Sequence, residues 1–139
     1  TADAITWDIG DQGFDMHLGG EVPARIAEAL RREAASSASD GLLRGLKPGD
    51  FDLWAVRAGG RSILGAVENG LGLDGDALDG SRSVLNDFGN MSSATLMFVL
   101  ARLLRERGQS DAPQNGLAMA FGPGLAAESF RFTLTGRDD

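Results

Sequence analysis

The sequence predicts an α/β layered domain, a mixed β-sheet with helices on both faces, and three features carry that expectation. Two short stretches near the start alternate apolar and polar residues at strand period. A nearly continuous apolar run from Phe51 to Val56 has the character of a strand buried on both faces. Between and after these lie segments whose apolar residues recur at helical spacing, and strands alternating with amphipathic helices build a layered unit. At 139 residues the chain is long enough to bury a sizeable core and reads as one domain, 1–139.

The elements follow in order. Ile5, Trp7 and Ile9 alternate with polar residues, as do Phe14, Met16 and Leu18 beyond the Asp11-Gln12-Gly13 turn, so the chain opens on a strand or a hairpin of two short ones. Pro23 suits the first turn of a helix, and Ile26, Leu30 and Ala34 carry its inner face to about Ser37. Ser36 to Asp50 reads as a loop, with a short turn around Leu42, Leu43 and Leu46. After the Phe51–Val56 strand, Arg57-Ala58-Gly59-Gly60 turns the chain into a second helix with Ile63, Leu64, Val67 and Leu71 inside. A Gly/Asp-rich loop spans Gly70 to Gly80, a short helix covers Arg82 to Asp87, and a longer one runs from about Ser93 to Arg107. Leu117–Phe121 and Ser129–Thr135 form an antiparallel pair joined through Gly122-Pro123-Gly124, with Phe130, Phe132 and Leu134 alternating against polar neighbours.

Composition narrows the function. The net charge of −7 argues against a nucleic-acid or anionic-membrane surface. The local groups Arg25, Arg31, Arg32, Arg44, Lys47 and Arg102, Arg105, Arg107 read as solvated helix faces and helix ends. With no cysteine, the chain itself offers no disulfide, thiolate zinc site or thiol nucleophile. His17 is the single histidine and has no second ligand to join, so no metal is expected. No run approaches the ~20 apolar residues of a membrane span, and a cytoplasmic location is the default expectation. Opening on Thr1 rather than Met fits a piece of something longer. Gly70-Leu71-Gly72-Leu73-Asp74-Gly75 satisfies the G-x-G-x-x-G pattern but follows a helix instead of a strand, which argues against a dinucleotide site. Asp74, Asp76 and Asp79 lack the other ligands of a calcium loop.

The segment richest in chemistry is Asp87-Phe88-Gly89-Asn90-Met91-Ser92-Ser93-Ala94, which runs into Thr95-Leu96-Met97-Phe98-Val99-Leu100. A carboxamide at the mouth of an apolar helix can donate to a ligand carbonyl in a place that excludes water; a helix-capping asparagine is the plainer reading. Leu53-Trp54-Ala55-Val56-Arg57-Ala58-Gly59-Gly60 and Ala120-Phe121-Gly122-Pro123-Gly124 are two further landmarks. In this order and spacing the three resemble the type III polyketide synthases, the chalcone and stilbene synthase-like branch of the thiolase superfamily. Trp7-Asp8-Ile9-Gly10, Gly13-Phe14 and Glu21-Val22-Pro23 resemble the start of that family's C-terminal half, so the resemblance spans essentially the whole chain.

The resemblance implies the C-terminal half of a thiolase fold. It implies an acyltransferase that condenses an acyl-CoA starter with malonyl-CoA by decarboxylation, with no cofactor besides these substrates. The family's nucleophilic cysteine belongs to an N-terminal half, so this chain alone would be inactive. Asn90 matches the family's oxyanion asparagine. Arg57 stands where the family carries histidine and Ala58 where it carries proline. Arginine keeps its proton near neutral pH, so it can attract negative charge but cannot take up and return a proton. Gly59, Gly60 and Ser62 match the stretch beside the coenzyme A tunnel, Ser92 a residue of the acyl pocket, and Gly122, Pro123 and Gly124 a pocket wall. The bland alternatives are a plain turn, a first-turn hydroxyl bonded to backbone, and a tight hairpin link. Two functions follow: a condensing-enzyme domain, or a non-catalytic structural partner that has lost the catalytic histidine. Leu96 to Leu104 is too apolar all round for one buried stripe, so this helix is expected to lie against an N-terminal half of the same enzyme or a second copy. A homodimer is expected for the family.

Overall fold

The computed structural model describes residues 5–10, 13–57, 59–91, 93–107, 112–122 and 126–135, with backbone alone for 5–18 and Arg107. The elements are β1 (Ile5–Gly10), β2 (Gly13–Leu18), α1 (Val22–Ala35), a 3₁₀ turn at Pro48–Asp50, β3 (Leu53–Arg57), α2 (Arg61–Leu71), α3 (Asp79–Phe88), α4 (Ser93–Arg107), β4 (Gln114–Gly122) and β5 (Ala126–Leu134). β1 and β2 form the expected antiparallel hairpin, with Ile5 opposite Leu18. The main sheet has the order β3-β4-β5, parallel in its first pair and antiparallel in its second, so it is mixed as expected.

Alternation along β3 and β4 sends side chains to two separate cores. Trp54, Val56, Leu117 and Met119 face α1 and α2, meeting Val22, Ile26, Leu30, Ile63, Leu64 and Val67. Leu53, Ala55 and Ala118 face α3 and α4, meeting Val84, Val99 and Leu103. Helices therefore cover both faces, which is why β3 can be apolar at nearly every position. Phe132 and Leu134 pack at the margin of the second core, whereas Phe130 is exposed.

Two glycines shape α2, one by a close approach and one by ending it. A Cβ on Gly70 would lie 2.7 Å from Ala27 O and 2.8 Å from Leu30 Cβ, so α1 and α2 touch backbone to side chain there. Gly72 then ends α2 in the left-handed region, at φ 62°, with its N–H donating to Glu68 O. The G-x-G-x-x-G pattern is thus a helix crossing followed by a helix stop. Gly70→Ala is expected to cost about 1–3 kcal/mol by wedging α1 from α2, read as a lower denaturation midpoint with an unchanged m-value.

Two elements differ from expectation. α3 begins at Asp79, three residues earlier than the sequence suggests. Gly80 reads as loop and Ser81 falls between loop and helix, yet Gly80 lies under Leu103 and buried Ser81 offers Oγ to the N–H of Val56 at 3.0 Å. The strands β4 and β5 are longer than their apolar runs, because Gly116 lies under the Phe132 ring and extends the ladder without a side chain of its own. Among the basic residues, Lys47 donates Nζ to Ala34 O and Ser36 O at the end of α1, a cation at a helix C-terminus. Arg82 pairs with Glu68 and so links α3 to α2; this bond holds the guanidinium above its ordinary pKa.

Candidate active site

Leu103 and Glu106, near the end of α4, line one cleft with Asp52 and Leu53 at the start of β3. α4 therefore runs back against the strand, and its first turn lies at the strand's C-terminal end. Arg57 ending β3, Gly59-Gly60 leading into α2 and Phe121-Gly122 ending β4 lie along this edge, and the last turn of α3, which leads through Gly89-Asn90-Met91 into α4, is tied to the start of α2 by Arg61 Nη2 to Asn86 Oδ1. The carboxyl edge of parallel strands is where open α/β sheets place their ligands.

Arg57 is half-buried, and its Nη1 donates to Phe121 O at 2.5 Å. The cation is thereby tied to the end of β4, beside Gly122. Gly59 and Gly60 are half-buried and Ser62 is exposed in the first turn of α2. Gly60 O accepts from Ile63 N at 3.2 Å, so this turn also performs the ordinary work of opening a helix. Ser92, Pro123 and Gly124, along with Ala58, lie outside the described residues.

Asn90 sits three residues ahead of the first residue of α4, outside the position from which a side chain caps a helix. Asn90 is exposed in this chain, not shielded as the sequence suggests. Gly89 precedes it with φ 69° and ψ −163°, a region essentially reserved for glycine. Met91 N–H follows and donates to Thr95 Oγ1 at 2.9 Å. Neither Gly89 nor Thr95 stood out in the sequence; a lone hydroxyl inside an apolar block was the available signal for the second.

α4 is two-sided. Thr95, Val99 and Leu103 are buried against the sheet, while Met97 (65%), Phe98 (43%) and Leu104 (57%) are exposed. Phe88 joins them, its ring 5.1 Å from that of Phe98. Among the described residues no group of three or more His, Cys, Asp or Glu is placed to hold a metal, and no helix is long and apolar enough to cross a membrane.

Residues 1–134 match the family described as chalcone and stilbene synthases, C-terminal domain. Bisdemethoxycurcumin synthase of Oryza sativa subsp. japonica is 36% identical over 138 residues, covering 95% of this chain and 34% of that protein. The alpha-pyrone synthesis polyketide synthase-like Pks18 of Mycobacterium tuberculosis is 31% identical over 137 residues, 99% of this chain and again 34% of its own length. The chain thus spans about a third of the curated relatives it matches. Among solved structures, PKS-I from the brown alga Ectocarpus siliculosus superposes with a TM-score of 0.78 at 34% identity, over 94% of this chain and 35% of that one. The 1,3,6,8-tetrahydroxynaphthalene synthase of Streptomyces coelicolor A3(2), a bacterial type III polyketide synthase, gives 0.78 at 30% identity, over 99% and 38%. With its landmarks in order and its layers in place, this chain belongs to the C-terminal domain family of the chalcone and stilbene synthases, the thiolase-like half of type III polyketide synthases.

Proposed function

We propose that this chain is the C-terminal half of a decarboxylative condensing enzyme acting on malonyl-CoA and an acyl-CoA starter, and that it works only with a cysteine-bearing N-terminal half. The observation that supports the reading is Arg57 at the end of β3, donating to Phe121 O beside Gly122, with Asn90 in the turn that leads into α4. The thioester carbonyl oxygen gains negative charge as malonate loses carbon dioxide. Asn90 supplies an N–H donor to that oxygen, and Arg57 supplies a positive charge. Gly59, Gly60 and Ser62 border the coenzyme A thioester, with Ser92 and Gly122-Pro123-Gly124 as pocket wall. The exposure of Asn90 here supports an outer lobe that closes the site, and the exposed face of α4 supports the same lobe as its partner. The assembled enzyme is a homodimer in this reading, working in the cytoplasm.

Decarboxylation of malonyl-CoA by the two-lobed protein is the direct test. Asn90→Ala is expected to lower its rate by about 10²–10³-fold, the usual effect of removing one oxyanion donor. An unchanged rate would remove Asn90 from the chemistry.

One observation favours a second reading. Arg57 occupies the histidine position and is committed to the Phe121 carbonyl, as suits a strut more than a proton carrier. The chain would then be a non-catalytic subunit that supplies a pocket wall or a dimer surface to an active homologue.

A further inference from the structure

We propose that Thr95 is a positioning residue for Asn90, acting with Gly89 as the two ends of a bracket that sets the direction of the carboxamide. The proposal rests on the reading of Asn90 as the oxyanion donor. A donor must be aimed before charge develops if it is to help. Here the backbone on both sides is held. Upstream, Gly89 N–H donates to Leu85 O at 2.9 Å, and Gly89 adopts a φ, ψ pair that a side chain would resist. The last turn of α3 that delivers it is itself tied down, by Arg61 Nη2 to Asn86 Oδ1 at 2.9 Å and by Arg102 Nη2 to Asp87 Oδ2 at 2.9 Å. Downstream, Thr95 reaches back from the third residue of α4 and accepts the N–H of Met91. Thr95 as a whole is 2% exposed, so the bond is made away from bulk water.

The bracket leaves Asn90 one peptide from a fixed point on either side. Thr95 is chemically specific in this role. Valine has the same shape without the acceptor and would leave the Met91 N–H unpaired, whereas serine keeps the acceptor and loses only a methyl.

The test reads the amide of Met91 and the side-chain amide of Asn90 by NMR in the full chain. Thr95→Val is expected to lower the exchange protection of Met91 by about tenfold, the worth of one such bond, and to move the Asn90 carboxamide signals. Thr95→Ser is expected to return both to wild type. Gly89→Ala is expected to move the carboxamide signals while Met91 keeps its protection. If Thr95→Val does not fold, Thr95→Ser against Thr95→Ala gives the same comparison. Unchanged signals in Thr95→Val, or a serine variant that shifts like the valine variant, would overturn the bracket. In the two-lobed enzyme, Thr95→Val is expected to lower kcat for decarboxylation by up to about 10²-fold with little change in KM, as misplacement near the chemistry does. Wild-type kcat in Thr95→Val beside a slow Asn90→Ala would also overturn it. A silent Asn90→Ala would sink the oxyanion reading alone, because the exchange and carboxamide signals decide the bracket without any turnover.

Discussion

Arg57→His is expected to raise the overall condensation of malonyl-CoA with an acyl-CoA starter by about 10²–10⁴-fold in protein that carries the nucleophile-bearing lobe, the range that a positioned acid or base contributes. A guanidinium offers attraction and donors but cannot accept a proton near neutrality, so in the proposed reaction Arg57 would serve the electrostatic half of the chemistry and leave the exchanging half unserved. Histidine would restore that half on a strand end already in place, since β3 and β4 stay paired in register through Arg57 and Ala120. The substitution also removes the contact from Arg57 Nη1 to Phe121 O, at a stability cost of about 0.5–1.5 kcal/mol. Arg57→Lys separates the effects: it keeps charge, lacks a proton-exchanging group near pH 7, and should stay as slow as wild type. A histidine variant no faster than wild type, in folded two-lobed protein, would point to the non-catalytic subunit.

Phe98→Asp with Leu104→Asp is expected to weaken association with the partner lobe, or with a second copy, by about 10²–10⁴-fold in Kd. Each large apolar side chain taken out of water contributes about 1.5–3 kcal/mol, and each 1.4 kcal/mol is tenfold. Both side chains are substantially exposed in this chain, so their replacement should leave its own melting point nearly unchanged. Sedimentation of the mixed lobes measures the effect, and Arg32→Asp on the exposed side of α1 serves as a control. A wild-type chain that stays monomeric at micromolar concentration and does not bind the lobe would show that this face is tolerated in water.

Most of the architecture was legible because period and burial agree. The limits of α4 fall at Ser93 and Arg107, as its apolar block suggests, and the inner face of α2 is the one its spacing marks. What escaped was decided by contacts between distant segments. Gly80 looks like loop until Leu103 is placed beside it. Gly116 lies outside the apolar run Leu117–Phe121 and joins the strand where the Phe132 ring covers it. The site divides along the same line. Asn90 and Arg57 stand out through the motifs in which they lie. The bracket around Asn90 does not, because a positive φ at Gly89 and a backbone bond to Thr95 leave no pattern in residue order. The exposure of Asn90 was misread for a related reason: the apolar helix beside it spends only one side on this chain's own core.

The bond from the Val56 N–H to Ser81 Oγ has a consequence for solubility. Among the described residues β3 pairs only with β4, which leaves its far side as a template that a stray strand could zip onto. Ser81 plugs that template at its middle with a hydroxyl from a packed helix, so an incoming backbone finds the amide already spoken for. One donor on that flank is thereby withheld from edge-to-edge pairing with a second copy.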